Sequence, residues 1–315
     1  MKRINLFMLA TIIVAITVFV GCDNSKLYAQ SDSVLIVQHL TTITKTEGFR
    51  NHKNIPLLNQ TAEYIFSVFS QYADTTYYQP YQVEGDTYLN VVCRLGSANN
   101  KALVVLGAHY DVYGNQEGAD DNASGVVGLL ELVRMLSTEK LNYPIEIVAY
   151  SLEEPPFFKT ENMGSYIHAK SLHDAGTPVY GMATFEMIGY FDDKPETQSY
   201  PIEAMKDIYG NVGNFIVLAG KTDAGEFFKN FSTNFVNLAT IDTKIIEASP
   251  SEARGIDFSD HLNYWIFNYD ALMITNTAFY RNPNYHQGSD TMDTLDIPRM
   301  MKVIDATALA LIGLK

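Results

Sequence analysis

The sequence predicts an α/β protein in which a mixed or mostly parallel sheet carries helices on both faces. Strand-like and helix-like stretches alternate along most of the chain, which is typical of α/β folds. The strand-like stretches are continuously apolar, as expected for strands that helices cover on both faces. The chain has 315 residues, of which 47% are hydrophobic and 18% charged, and this is the composition of a globular protein.

Two helices and two strands are predicted first along the chain. Residues 31–45 and 56–72 carry apolar side chains at helical spacing. Residues 87–95 and 102–107 have the apolar character of strands, and the letters SANN between them are typical of a hairpin turn. The pattern therefore indicates that these two strands form a hairpin.

Strands and helices continue to alternate through the rest of the chain. The predicted strands cover residues 145–151, 179–189, 214–220 and 270–276. The predicted helices cover residues 122–137, 161–173 and 297–313, and a further helix passes through GEFFKNF. Ligands of such sheets bind beyond the carboxyl ends of the strands, so polar residues that follow the strands are the first candidates for a functional site.

Residues 1–22 are predicted to be a lipoprotein-type signal peptide, and residues 23–315 a single domain. A basic start precedes an apolar run over residues 6–20, which is shorter than the roughly 20 residues of a membrane-spanning helix. The letters FVGC resemble a bacterial lipobox, in which the cysteine, here Cys22, carries the lipid. We expect an extracytoplasmic protein, lipid-anchored to a bacterial membrane and facing the periplasm or cell surface. Secretion after cleavage near residues 28–31 is the alternative.

Charge and cysteine content exclude further classes of protein. The net charge is −14 and the chain has no basic cluster, which argues against nucleic-acid binding. After cleavage Cys93 would be the only cysteine, so no intrachain disulfide is expected. Its apolar surroundings in NVVCRL indicate a buried small side chain rather than a reactive thiol.

Imidazole and carboxylate side chains gather near the carboxyl ends of the predicted strands. They are His109, Asp111, Asp120, Asp121, Glu153, Glu154, Glu186 and His286. Most follow a strand, but Glu186 lies late in the strand at 179–189, and Asp120 and Asp121 open the next helix. In a mostly parallel sheet these groups would converge on one edge. Imidazoles and carboxylates without thiolates suit Zn²⁺ or a similar divalent ion. For Asp120 and Asp121 the structural alternative is capping of the helix that follows.

Five motifs occur in a specific order: GAHYD, GADDNASG, SLEEP, FEMIG and YHQGSDT. In order and spacing they resemble the dinuclear zinc aminopeptidase family over roughly residues 85–315. This family includes bacterial leucyl aminopeptidases, aminopeptidase Y, the catalytic domain of glutamate carboxypeptidase and, as a divergent branch, the glutaminyl cyclases. The resemblance implies a three-layer α/β sandwich around a mixed sheet of about eight strands, two Zn²⁺ per chain and peptide substrates.

The resemblance also implies a set of metal ligands. They are His109, Asp121, Glu154, Glu186 and His286. Each histidine would bind a different zinc, and Asp121 would bridge the two ions and precede a cis peptide bond to Asn122. Glu154 would bind the zinc of His286 or its neighbour. Glu186 stands where the family usually has Asp; its longer side chain can still bind a metal, with a shifted position or weaker affinity. Asp120 is not expected to be a ligand.

Three further residues have roles that the resemblance implies. Glu153 would be the general base, which takes a proton from the metal-activated water and returns it to the leaving amine; a second ligand or a helix-capping acid is the alternative. Asp111 would hold the His109 ring, a common role for carboxylates behind metal-bound histidines. Tyr285 would donate a hydrogen bond to the developing oxyanion.

Two segments have open roles. In SDHLNYW (259–265), Asp260 or His261 would shape the pocket, and the alternative is a capped helix start. Residues 190–213 are long, polar and aromatic; they would overhang the cleft and select the substrate, and the alternative is surface decoration.

We therefore predict a zinc exopeptidase, in the first place an aminopeptidase, with a carboxypeptidase or dipeptidase still open. One alternative is a glutaminyl-cyclase-like, single-zinc acyltransferase, against which the two retained histidines argue. Another is a catalytically inactive binding protein on the same fold, against which the retained ligand-type positions and base argue.

Overall fold

The computed structural model describes residues 29–96 and 101–315. Within this part of the chain eight strands form one sheet. The strands are β1 (Thr75–Val83), β2 (Asp86–Leu95), β3 (Leu103–His109), β4 (Ile145–Tyr150), β5 (Val179–Glu186), β6 (Ile216–Gly220), β7 (Thr243–Glu247) and β8 (Ala271–Thr275). Their order in the sheet is β1-β2-β4-β3-β5-β8-β6-β7. The four central strands, β4, β3, β5 and β8, are parallel, and the sheet becomes antiparallel where β2 meets β4 and where β6 meets β8.

Eight α-helices surround this sheet in the described part of the chain. They are α1 (Ser33–Thr44), α2 (Ile55–Tyr72), α3 (Gly125–Leu136), α4 (Gly164–Asp174), α5 (Ala204–Tyr209), α6 (Glu226–Leu238), α7 (His261–Ile266) and α8 (Ile297–Ile312). Helices α1, α2, α3, α6 and α8 bury their apolar faces on one side of the sheet, while α4 and α7 pack on the other side. The predicted α/β fold, with a mixed sheet and helices on both faces, is confirmed.

A close approach between β3 and β4 fixes the position of α7. Gly107 lies under the ring of Tyr150, and a Cβ atom there would lie 2.2 Å from a ring carbon. Only glycine therefore lets this ring lie across β3. The hydroxyl of Tyr150 is 2.8 Å from that of Tyr264 on α7, and both side chains are fully buried. This contact holds the segment before α7 at the carboxyl edge of the sheet.

The predicted hairpin between residues 87–95 and 102–107 is wrong. Strand β2 pairs with β1 and β4, and β4 lies between β2 and β3. The hairpin is instead β1–β2, whose turn has positive φ angles at Glu84 and Gly85. Strand β4 is buried along its whole length, in keeping with its place between β2 and β3. Residues 97–100 lie outside the described residues.

The sequence does not predict strands β1 and β7, because both are edge strands. The sequence of β1, TTYYQPYQV, is largely polar, contains a proline and is mostly unburied. Strand β7 has no buried residue. Edge strands tolerate proline and polar side chains, so they lack the apolar run by which the central strands are recognised.

The predicted signal peptide and Cys22 lie outside the described residues. Within the described part, no helix has the length and apolarity to cross a membrane. Cys93 is fully buried in β2, and burial raises the pKa of its thiol well above the usual value. It therefore behaves as the buried small residue that its neighbours predict.

Candidate metal centre

The carboxyl ends of the parallel strands bring the predicted ligands together. His109 is the last residue of β3 and Glu186 the last residue of β5. Glu154 follows β4, and His286 lies in the loop after β8. Because β4, β3, β5 and β8 are parallel neighbours, these side chains meet at one edge. Asp121 reaches the same place from the turn that leads into α3.

Asp121 lies between the two histidines. Its Oδ1 atom is 3.5 Å from Nε2 of His109, and its Oδ2 atom is 3.3 Å from Nε2 of His286. Each histidine also has a glutamate of its own. Oε2 of Glu186 is 3.4 Å from Nε2 of His109, and Oε2 of Glu154 is 3.2 Å from Nε2 of His286. The five side chains therefore form two clusters that share Asp121, and the Asp121–Asn122 peptide bond is cis.

The donor atoms of these clusters fit a metal ion. Nε2 of His109 and Oε1 of Glu154 are buried and have no hydrogen-bond partner in the described part of the chain. Such atoms are rare in folded proteins unless something else binds them. His109, Asp121 and Glu154 each offer an atom within 4.8 Å of the other two. Imidazole nitrogen and carboxylate oxygen are ligands that Zn²⁺ accepts.

The protonation equilibria of the cluster show how strongly its charges interact. Burial, reinforced by repulsion from Asp121, raises the pKa of Glu154 to about 8. Burial acts to lower the pKa of His286, but hydrogen bonds to Asp121 and Glu154 raise it to about 10. Without a cation, the site thus favours proton uptake. A bound divalent ion would favour the charged carboxylates and neutral imidazoles instead.

Asp111 links the first histidine to the glutamate pair. Its Oδ1 atom is 3.6 Å from Nδ1 of His109. Its two carboxylate oxygens accept the backbone N–H groups of Glu153 and Glu154, each at 3.1 Å. It therefore lies behind His109, where the resemblance puts it, and it also orients the segment that carries both glutamates.

The carboxylate of Glu153 lies beside the cluster. Its Oε2 atom is 3.9 Å from Nε2 of His109, and no hydrogen bond to its carboxylate is found within residues 29–96 and 101–315. Burial, with added repulsion from Glu186 and Glu154, raises the pKa of Glu153 well above its usual range. A carboxylate with a raised pKa accepts a proton more readily than an ordinary one, as a general base must.

Three residues around the cluster were not assigned roles from the sequence. Asp290 accepts the backbone N–H groups of Asp120 and Asp121 at 2.9 and 3.0 Å. Ser259 donates a hydrogen bond to Oε2 of Glu186 at 2.7 Å. Asp290 lies in the YHQGSDT motif and Ser259 in SDHLNYW, so their place in these motifs is the feature of the sequence that could have identified them. The third, Arg50, is in neither.

Asp120 and Asp260 complete the buried acids of this region. The carboxylate of Asp120 accepts hydrogen bonds from Gly189, Asn276 and Asn282. It therefore connects the loops that carry these three residues.

Asp260 is fully buried next to Ser259, and burial raises its pKa to about 7. It lies at the start of α7 but makes no side-chain capping hydrogen bond.

Arg50 holds the loop that connects His109 to Asp121. Its guanidinium donates to the carbonyl oxygens of Tyr110 at 2.8 Å, of Gly118 at 2.6 Å and of Glu117. The side chain is buried, and burial lowers its pKa to about 10. No signal in the local sequence indicates this role, because the loop lies about 60 residues further along the chain.

We expect Arg50→Met to lower the free energy of unfolding by about 3 kcal/mol or more. The substitution leaves three carbonyl oxygens without their donor, and each unsatisfied buried group costs about 1–3 kcal/mol. Urea unfolding measures the difference. Lys53→Met, at an exposed neighbouring position, is the control and is expected to change little. A loss below about 1 kcal/mol in Arg50→Met would contradict this role.

An apolar cavity opens beside Glu186 and Tyr285. Its lining includes Val217, Ala219, Ile256, Phe258, Met273 and Phe279. The segment 190–213 contributes Gln198, Ser199, Tyr200, Pro201 and Met205 to the lining. This segment therefore lies where it can contact a side chain held next to the metal cluster.

Comparisons with known proteins show which family the chain belongs to. The model of peptidase family M28 matches residues 90–311. The Escherichia coli protein YfbL is 40% identical over 87% of this chain and 85% of its own length. A probable leucine aminopeptidase 1 from Trichophyton verrucosum is 27% identical over 64% of this chain. The chain spans about half the length of that fungal relative, 51%.

Solved structures share the fold at lower identity. The LapA aminopeptidase of Legionella pneumophila has a TM-score of 0.71 at 20% identity, over 100% of this chain and 80% of its own. The glutaminyl cyclase of Tannerella forsythia has a TM-score of 0.65 at 17% identity, over 91% of this chain and 100% of its own. The family expected from the motifs is confirmed by the match over residues 90–311 and by the similarity to YfbL. The chain belongs to peptidase family M28 and is a metallopeptidase.

Proposed function

We propose that the chain is a dinuclear zinc aminopeptidase that releases apolar N-terminal residues from peptides. The observation that carries this proposal is the position of Asp121 between His109 and His286, with one further glutamate at each histidine. Two clusters sharing one carboxylate suit two metal ions better than one. The leucine aminopeptidase relative and the LapA structure agree with this activity.

In this proposal His109, Asp121 and Glu186 hold one zinc, and His286, Asp121 and Glu154 hold the other. A bound zinc pair supplies Lewis acidity and lowers the pKa of a water molecule. Glu186 replaces the aspartate that is usual in the family. Its longer side chain still reaches to 3.4 Å from Nε2 of His109. Burial raises the pKa of Glu186, and the hydrogen bond from Ser259 opposes this shift.

Glu153 is the proposed general base. It accepts a proton from the attacking water and returns it to the amine of the departing peptide. Its carboxylate is free for this task because no other side chain donates to it in the described part of the chain. Tyr285 lines the adjoining cavity and is the proposed donor to the oxyanion. Burial and the surrounding carboxylates raise the pKa of Tyr285, so its hydroxyl keeps its proton.

The apolar cavity is the proposed site for the first side chain of the substrate. It adjoins Glu186, a proposed zinc ligand, and its lining is dominated by aliphatic and aromatic side chains. The substrate class is therefore peptides with an apolar first residue.

We also propose that the protein works outside the cytoplasm, held by a lipid on Cys22, and that it does not bind nucleic acid. A Cys22→Ser variant found in the soluble rather than the membrane fraction would support the anchor.

We expect leucine amide to be cleaved with a kcat/KM about tenfold or more above that of alanine amide. Burial of a leucine side chain stabilises by about 1.5–3 kcal/mol, and about 1.4 kcal/mol corresponds to tenfold. Glutamate amide is expected to be poorer still, because the cavity would strip water from its charge. Steady-state kinetics with the three amides test this. Ala219→Leu, which fills the cavity, is expected to reduce the preference, and equal rates for leucine and alanine would contradict it.

A glutaminyl cyclase is the second candidate, because a cyclase has the same fold and Glu186 departs from the usual ligand. A peptide with an N-terminal glutamine separates the two functions by mass spectrometry. An aminopeptidase yields free glutamine and a shortened peptide. A cyclase yields a peptide of unchanged length that has lost one ammonia, and this product would overturn the proposal.

A further inference from the structure

The ring of His286 lies between two tyrosine rings. Tyr113 stacks on it with a centroid distance of 4.2 Å and an interplanar angle of 8°. Tyr285 stacks on it at 3.8 Å and 16°. Two nearly parallel rings this close to one imidazole cannot occupy the same side, so they cover its two opposite faces. The imidazole is thereby confined to one plane.

The two histidines of the cluster are oriented by different means. Nδ1 of His109 faces Asp111, with the backbone oxygen at 3.2 Å and the carboxylate at 3.6 Å. This is the usual arrangement behind a metal-bound histidine. For Nδ1 of His286 no hydrogen-bond partner is found among residues 29–96 and 101–315. Ring stacking therefore takes the place of the hydrogen bond.

The backbone and exposure of His286 make that support necessary. Its φ angle is +56°, in the left-handed region that residues other than glycine occupy uncommonly. Its side chain is 19% exposed, against 1% for His109. Without the tyrosines, this ring would have room to turn away from Asp121 and Glu154.

Hydrogen bonds hold the residues on both sides of Tyr113. The preceding residue, Val112, donates its backbone N–H to the carbonyl oxygen of Arg50 at 3.2 Å. The following residue, Gly114, accepts a hydrogen bond from the side chain of Asn51 at 2.6 Å. Tyr113 is 41% exposed, so its ring is not part of the protein core. Its removal should alter the orientation of His286 more than the stability of the fold.

We propose that Tyr113 is a positioning residue for His286 and sets the affinity of the second metal site through ring stacking. This inference rests on the proposed function, since it requires that His286 binds a metal. It goes further by assigning the two sites unequal support: a hydrogen-bonded histidine in one and a stacked histidine in the other. The His109 site then fills first, and the His286 site depends on Tyr113.

The test is a zinc titration of the metal-free protein in competition with a chromogenic chelator, which resolves stepwise affinities. His286→Ala identifies which constant belongs to the His286 site. We expect Tyr113→Ala to weaken the second constant about tenfold or more, the range found for partners that orient metal-bound histidines, and to leave the first unchanged. Tyr113→Phe keeps the ring and is expected to match the wild type. Thermal unfolding of each metal-free variant checks that it is folded.

Three results would overturn the inference while the wild type still binds two zinc ions. They are an unchanged second constant in Tyr113→Ala, an equal loss in both constants, or a loss in Tyr113→Phe as large as in Tyr113→Ala. A wild-type protein that binds fewer than two ions would overturn the proposed function itself. The two failures are therefore distinguished by the wild-type titration alone.

Discussion

Glu153→Gln is expected to reduce kcat by about 10²–10⁴-fold, the contribution of a positioned general base, while the zinc content per chain stays that of the wild type. Glutamine has nearly the same shape but cannot accept the proton. Because the carboxylate of Glu153 makes no hydrogen bond in the described part of the chain, the substitution leaves no partner unsatisfied. Kinetics with leucine amide and elemental analysis for zinc measure the two quantities on the same sample.

Glu154→Gln is the matched control for this experiment. The two glutamates are adjacent, and Asp111 holds the backbone of both, but Oε2 of Glu154 points to His286. We therefore expect Glu154→Gln to lose zinc together with activity. The proposed role of Glu153 as the general base would be contradicted if Glu153→Gln kept more than a tenth of the wild-type turnover. Loss of zinc in this variant would contradict it as well.

Asp121→Ala is expected to have the second large effect, reducing the zinc content from two ions to below one and abolishing measurable turnover. The two oxygens of Asp121 lie 3.5 Å from Nε2 of His109 and 3.3 Å from Nε2 of His286, so its loss weakens both sites at once. The measurement is zinc per chain after dialysis against trace zinc, with activity followed in parallel.

Asp120→Asn is its control, since the two carboxylates are neighbours in the sequence and equally buried. The carboxylate oxygens of Asp120 accept hydrogen bonds from Gly189, Asn276 and Asn282. The amide of asparagine would face one or more of these donors, so we expect a loss of stability in urea with zinc retained. Two zinc ions in Asp121→Ala, or zinc loss limited to Asp120→Asn, would refute the bridging assignment.

The position of the site could be predicted from the sequence because it depends on a simple rule. His109 and Glu186 end apolar strands, and Glu154 and His286 come after them. The carboxyl ends of parallel strands meet at one edge of the sheet. The order of strands could not be predicted in the same way. The SANN letters suggested a local hairpin, but β4, which is about 50 residues away in the chain, inserts between β2 and β3.

The residues that hold the metal ligands in place could not be predicted either, because their partners are distant in the sequence. Asp290 holds the backbone of Asp120 across a separation of 170 residues, and Arg50 reaches the carbonyl oxygen of Tyr110 across 60. Their chemistry does not mark them, because an aspartate or arginine is usually an exposed side chain. Tyr113 is similar: its function depends on the ring of His286, which approaches only in the folded chain.

The number of zinc ions bound to each purified chain, measured by elemental analysis after dialysis against trace zinc, tests the central claim most directly. The paired clusters around Asp121 predict a value close to two. A value close to one would contradict the dinuclear centre and favour a cyclase-like site with a single metal. A value near zero would contradict a zinc enzyme altogether.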